Sequence, residues 1–138
     1  MSMAWEEARR RYNVNRAVLA EIARTGRPTI PMDLTTEVDE VFGDFTTFLS
    51  DVRRRWYQAF DARLDQLLEN PPRDLSRAVA NLWRELEREQ PAVRILFDAY
   101  PATTPVDAHH RARLLTATGV DQSHLRTNTR CVRTRRVS

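Results

Sequence analysis

Between Val38 and Leu67 the apolar residues Val38, Phe42, Phe45, Leu49, Val52, Trp56, Phe60, Leu64 and Leu67 recur in steps of three and four. That spacing is the helical period, and it gathers nine large side chains on one face. A strand would alternate every second residue, and no run of four to eight residues in the chain does so with Val, Ile and Thr enrichment between turn signals. Unbroken from Thr36 to Glu69, the helix would be about 50 Å long, more than the diameter of a small domain. It must therefore either kink near Gly43 or protrude and meet a partner. Asn70-Pro71-Pro72 ends it, because the prolines and the residue before them reject helical geometry.

Other helices arrange themselves around this one. Trp5, Ala8, Tyr12, Asn15, Leu19 and Ile22 form the stripe of a first helix that stops at Thr25-Gly26, where glycine takes the left-handed cap. Pro28 and Pro31 prevent its continuation. Asp33, Thr35 or Thr36 is expected to cap the long helix, and Glu37, Asp39 and Glu40 favour its positive end. Asp74 caps a helix with the stripe Leu75, Val79, Leu82, Trp83 and Leu86. Pro91 opens a short one carrying Val93, Leu96, Phe97 and Tyr100. Thr104-Pro105-Val106-Asp107 reads as cap, first-turn proline and capping-box acid of a last helix that Gly119 closes.

The expected fold is all-α, a single-domain bundle of four to five helices over residues 1–120 with one long central helix, followed by a flexible Arg-rich tail at 121–138. With 138 residues and 41% hydrophobic content the chain can bury one core and is too short for two ordinary ones. One cysteine, Cys131, excludes an intrachain disulfide. No apolar stretch reaches membrane-spanning length, and the N-terminus lacks a basic region followed by an apolar one, so a cytoplasmic protein with no membrane contact is expected.

All 22 basic residues are Arg. With only three Ile and five Asn, this fits the codon bias of a high-GC bacterium rather than selection for bidentate contacts. Placement carries more meaning. Residues 1–110 hold 15 Arg against 18 acids, and residues 111–138 hold seven Arg against one acid, so an acidic body precedes a basic end. Arg126, Arg130, Arg133, Arg135 and Arg136 are the candidate anion-binding residues of the tail and the basis of a nucleic-acid reading. Against that reading, the tail lacks the interleaved aromatics on which single-stranded bases stack.

Catalytic chemistry finds little support. Glycine occurs only at 26, 43 and 119, which excludes glycine-rich phosphate loops. His109 and His110 point about 100° apart on a helix and do not share one metal-facing side. Glu37, Glu40 and Asp44 have ligand spacing, but the chain contains no Glu-x-x-His to complete a di-metal bundle. Cys131 lies close to Arg130 and Arg133, whose charge favours the thiolate, yet a tail positions neither base nor oxyanion donor. No cofactor, metal or catalytic residue is assigned.

The aromatics are the better clue. Trp5, Trp56 and Trp83 each lie on an apolar stripe, which points first to core packing. Trp5, Tyr12, Asn15, Phe45, Trp56, Phe60 and Trp83 are also the candidate ligand or dimer face, Asn15 because a polar residue in an apolar stripe can fix the register of helix pairing.

The run Val38, Phe42-Gly43, Phe48-Leu49, Val52-Arg53-Arg54-Arg55-Trp56, Ala59-Phe60, Arg63-Leu64, Leu67-Leu68, Asn70-Pro71-Pro72 and Gln90-Pro91-Ala92-Val93-Arg94-Ile95-Leu96-Phe97-Asp98-Ala99-Tyr100 resembles the helices that follow the DNA-binding unit in TetR-type bacterial regulators. The resemblance covers residues 38–100 and implies a ligand-responsive or dimerising helical core. A DNA-binding unit is not recognisable ahead of it, because Gly26 to Phe42 leaves no room for a helix-turn-helix. The expected function is that of a non-catalytic helical regulator or adaptor that forms a homodimer and binds a partner protein or a small apolar ligand. Its alternatives are a nucleic-acid-associated protein using the tail, and a metal-binding bundle or enzyme.

Overall fold

The computed structural model describes residues 2–100, 105–122 and 125. The protein is all-helical, with α1 Ser2–Thr25, a short 3-10 turn at Met32–Leu34, α2 Thr35–Phe42, α3 Phe45–Glu69, α4 Leu75–Glu89, α5 Pro91–Ala99 and α6 Pro105–Thr118. No strand occurs among the described residues.

The long stripe is divided at Gly43, which brings the α-helices among the described residues to six. Gly43 takes φ 88°, a left-handed value that a side chain disfavours. Its N–H closes α2 onto the carbonyl of Asp39 at 2.9 Å. Asp44 then restarts the helix, its Oδ1 accepting the Thr47 N–H at 2.7 Å. That backbone hydrogen bond, with a further one from the Thr47 side chain, holds the Asp44 carboxyl below the usual range. α3 keeps the remaining 25 residues.

Most of the expected punctuation is present. Gly26 caps α1 and Gly119 caps α6, each donating to the carbonyl four residues back at 2.8 Å. Asp74 accepts the Arg77 N–H at 3.0 Å to open α4, and Pro91 stands in the first turn of α5. The start of α2 differs. Leu34 occupies the cap position and no side chain caps there, because the 3-10 turn feeds straight into the helix. The Thr35 hydroxyl bonds to the Pro31 carbonyl instead.

Two compact units make up the chain, one comprising Met1–Trp56 and Glu89–Ala102, the other Tyr57–Arg88 and Thr103–Ser138; the division falls inside α3. In the first unit Val14, Val18 and Ile22 of α1, Val38 and Phe42 of α2, Phe48, Val52 and Trp56 of α3, and Val93, Leu96 and Phe97 of α5 are buried. Their rings meet edge to face, Phe42 on Phe48 at 5.5 Å and Trp56 on Phe97 at 5.2 Å, the arrangement that the ring quadrupoles favour. In the second unit Phe60 meets Trp83 edge to face at 5.4 Å, with Leu64, Val79, Leu86 and Leu114 also buried.

Packing does not stop at the expected boundary after residue 120, since Gln122 and Leu125 are buried as well. Residues 126–138, which carry Cys131 and the expected anion-binding residues Arg126, Arg130, Arg133, Arg135 and Arg136, lie outside the described residues.

Candidate functional site

The seven residues of the expected ligand or dimer face part company. Trp56, Phe60 and Trp83 are at most 1% exposed and are interior side chains. Phe45 is half-buried, stacked on Phe48 and edge-on to Tyr100 at 5.1 Å. Asn15 is buried, and its partner belongs to the same chain: Nδ2 donates to Asp51 Oδ2 of α3 at 3.0 Å. Trp5 and Tyr12 remain at the surface, 63% and 48% exposed. The expectation that Trp5 packs in the core is thereby corrected.

Helix geometry and the extent of coverage together explain the split, residues 3–13 of α1 being exposed on every side. The buried face of α1 is built on Val14, Asn15, Val18 and Ile22. At about 100° per residue, Trp5 and Tyr12 project roughly 120–140° around the helix from Val18. Arg9 and Arg16, both exposed, fall on the same strip. The spacing 5, 9, 12, 16 therefore aligns aromatic, guanidinium, aromatic and guanidinium. Glu6 and Glu7 project roughly 90° and 170° around the helix from the strip's centre, so no carboxylate shares it.

The guanidiniums lean on the rings. Arg9 Cζ lies 5.3 Å from the Trp5 ring centroid, and Arg55 of α3 reaches across to lie 5.6 Å from that of Tyr12. Both distances suit a cation–π contact worth about 0.5–1 kcal/mol at an exposed site. Arg55 is held there by Asp51, which accepts its Nε at 2.8 Å and also takes Arg54. Burial raises the Asp51 carboxyl, but the hydrogen bonds from Arg55 and Arg54 outweigh it and leave the group below the usual carboxylate range. A buried Asn15–Asp51 pair thus anchors an exposed strip of rings and cations.

A second polar cluster is buried around His110 and reaches the surface at Asp61 and Arg113. His110 of α6 is 3% exposed and stacks on Tyr57 with centroids 4.1 Å apart. Its Nδ1 meets Gln122 Oε1 at 2.8 Å and its Nε2 meets Asp61 Oδ1 at 2.9 Å. Gln122 Nε2 donates to the Tyr57 hydroxyl at 3.1 Å, and Tyr57 donates to Asp107. Arg113 pairs with the other oxygen of Asp61 at 3.2 Å. His, Asp and Tyr together would suit acid–base work, but catalysis needs a ring nitrogen within reach of a substrate. Here both nitrogens face protein oxygens in a buried site, so the cluster holds α3 to α6 and to Gln122.

Sequence reading missed this cluster and Asp51. The signal was the pairing of Tyr57 with Asp61 at i, i+4 and of Asp107 with His110 at i, i+3, each pair on one helical face. Asp107, read as a capping acid, is fully buried. His109 is exposed while His110 is buried, in keeping with the 100° between adjacent residues.

Among the described residues, Glu37, Glu40 and Asp44 form no metal site with His109 and His110. Glu40 pairs with Arg10 at 2.6 Å and Asp44 caps α3. Among the described residues, no group of three or more His, Cys, Asp or Glu is placed to hold a metal ion, and no helix is long and apolar enough to cross a membrane. Compared with family models, curated proteins and solved structures, the chain matches none of them.

Proposed function

We propose that this protein is a non-catalytic helical regulator or adaptor of a bacterial cytoplasm that works by association, with a second copy of itself and with a partner protein, and that the outward strip of α1 is a docking surface. The observation that carries this reading is the exposure of Trp5 and Tyr12 on a helix that is packed only through Val14, Asn15, Val18 and Ile22. Large aromatics on a helix contribute most when buried, and rings left at the surface beside arginine have the composition of interface anchors. The His110 cluster supports the non-catalytic part, because both ring nitrogens face protein oxygens. The resemblance to the dimerising core of TetR-type regulators fits the same reading.

Native mass spectrometry of the purified full chain tests it. A dimer, or a retained partner protein or small molecule, is the expected result. A monomer carrying nothing at micromolar concentration would remove self-association and leave the partner arm to the peptide titration below.

A further inference from the structure

We propose that the strip Trp5–Arg9–Tyr12–Arg16, extended by Arg55 of α3, is the docking site for an amphipathic helix of a partner protein whose apolar stripe is flanked by Asp or Glu. The inference rests on the adaptor reading and names the chemistry of its partner.

Charge selects the partner's sign. The strip carries Arg9, Arg16 and Arg55 and no carboxylate, and Asp51, the nearest acid on α3, is already taken by Asn15, Arg54 and Arg55. Two copies of the strip laid together would set Arg9 and Arg16 against their own kind, so a second copy of the same face is disfavoured. An anionic flank on the incoming chain removes that repulsion and replaces water at the guanidiniums with charge-assisted hydrogen bonds.

Spacing and shape select a helix. Trp5 and Tyr12 stand seven residues apart, two turns or about 10 Å along α1, which matches the i, i+7 repeat of an apolar stripe on a facing helix. The surface is the convex side of one helix rather than a groove that tracks a phosphate backbone. Arg9 and Arg55 each lie over one face of Trp5 and Tyr12, where a base would otherwise stack.

The test uses the full chain and fluorescein-labelled helical peptides of about 20 residues, each with Leu at i, i+3 and i+7. One peptide carries Glu on both flanks of the stripe and the other carries Lys. Fluorescence anisotropy should show the Glu peptide binding at least about tenfold more tightly than the Lys peptide. Binding should weaken with added salt. It should fall by at least about tenfold in Arg9→Glu/Arg16→Glu and in Trp5→Ala/Tyr12→Ala proteins whose circular dichroism is unchanged. Equal binding of both peptides, lost in Trp5→Ala/Tyr12→Ala, would overturn the acidic specificity while leaving the adaptor reading standing. No peptide binding together with a bare monomer in the mass spectrometer would overturn both. Preferential binding of a poly(dT) oligonucleotide or of phosphatidylserine vesicles, lost in the same variants, would replace the helical partner with a different one.

Discussion

α1 and α3 are nearly the same length, 24 and 25 residues, and both carry aromatic residues at helical spacing, yet they use them in opposite ways. In α3 the stripe Phe48, Val52, Trp56 and Phe60 is sealed from solvent along its length. In α1 only the half from Val14 to Ile22 is covered, and that coverage lies on a different face from Trp5 and Tyr12. Periodicity reports that a helix has an apolar side; it does not report which element, or which molecule, covers it. The contrast separates aromatics buried in the fold from aromatics left at the surface.

The sharpest way to break this comparison is to truncate one tryptophan from each helix. Trp56→Ala should lower the free energy of unfolding by about 3–5 kcal/mol, the usual cost of deleting a buried aromatic, measured by urea denaturation. Trp5→Ala should stay within about 0.5 kcal/mol of the parent, since it removes only exposed surface and one weak cation–π contact. Similar losses from the two would erase the distinction.

Next in size is the His110 cluster. His110→Leu removes the partner of Gln122 Oε1 and one partner of Asp61 while keeping an apolar side chain in the space. Leaving such buried groups without a counterpart costs about 1–3 kcal/mol, read from the same denaturation curves. A variant as stable as the parent would show that the cluster does not hold α6 in place.

Asp51 gives a smaller effect with a distinct pH signature. Its carboxyl lies below the usual range when folded, so the unfolded chain binds the proton more readily at acid pH. The stability that Asp51 contributes is therefore complete above its unfolded value of about 3.9 and is lost as pH falls through the depressed folded value. Asp51→Asn should cost about 1–2 kcal/mol at neutral pH, because Arg54 and Arg55 are partly exposed and their pairing is screened. The difference between variant and parent should shrink as the pH is lowered below 3.9 or so. A difference that is constant with pH would place the stability elsewhere than in the charged carboxylate.

How legible these features were from sequence follows the range of the interactions that create them. Gly26, Gly43, Gly119, Asp74 and Pro91 mark helix ends through contacts within a few residues, and each does so in the structure. α2 is the exception among helix starts, because the 3-10 turn at Met32–Leu34 displaced the expected cap. Trp5 was misplaced for a different reason, since burial depends on what faces a helix and a one-dimensional pattern holds no such information. Asn15 stood out correctly as anomalous, but its partner Asp51 lies 36 residues away and nothing local joins them. The same holds for Tyr57 and Asp107, 50 residues apart.

The central claim, that the outward strip of α1 is a docking surface and no part of the core, meets its most direct test in Trp5→Ala/Tyr12→Ala, with unfolding free energy and association measured on the same preparation. The account predicts stability within about 0.5 kcal/mol of the parent and association weakened at least about tenfold. A loss of about 2 kcal/mol or more in stability with association unchanged would contradict it.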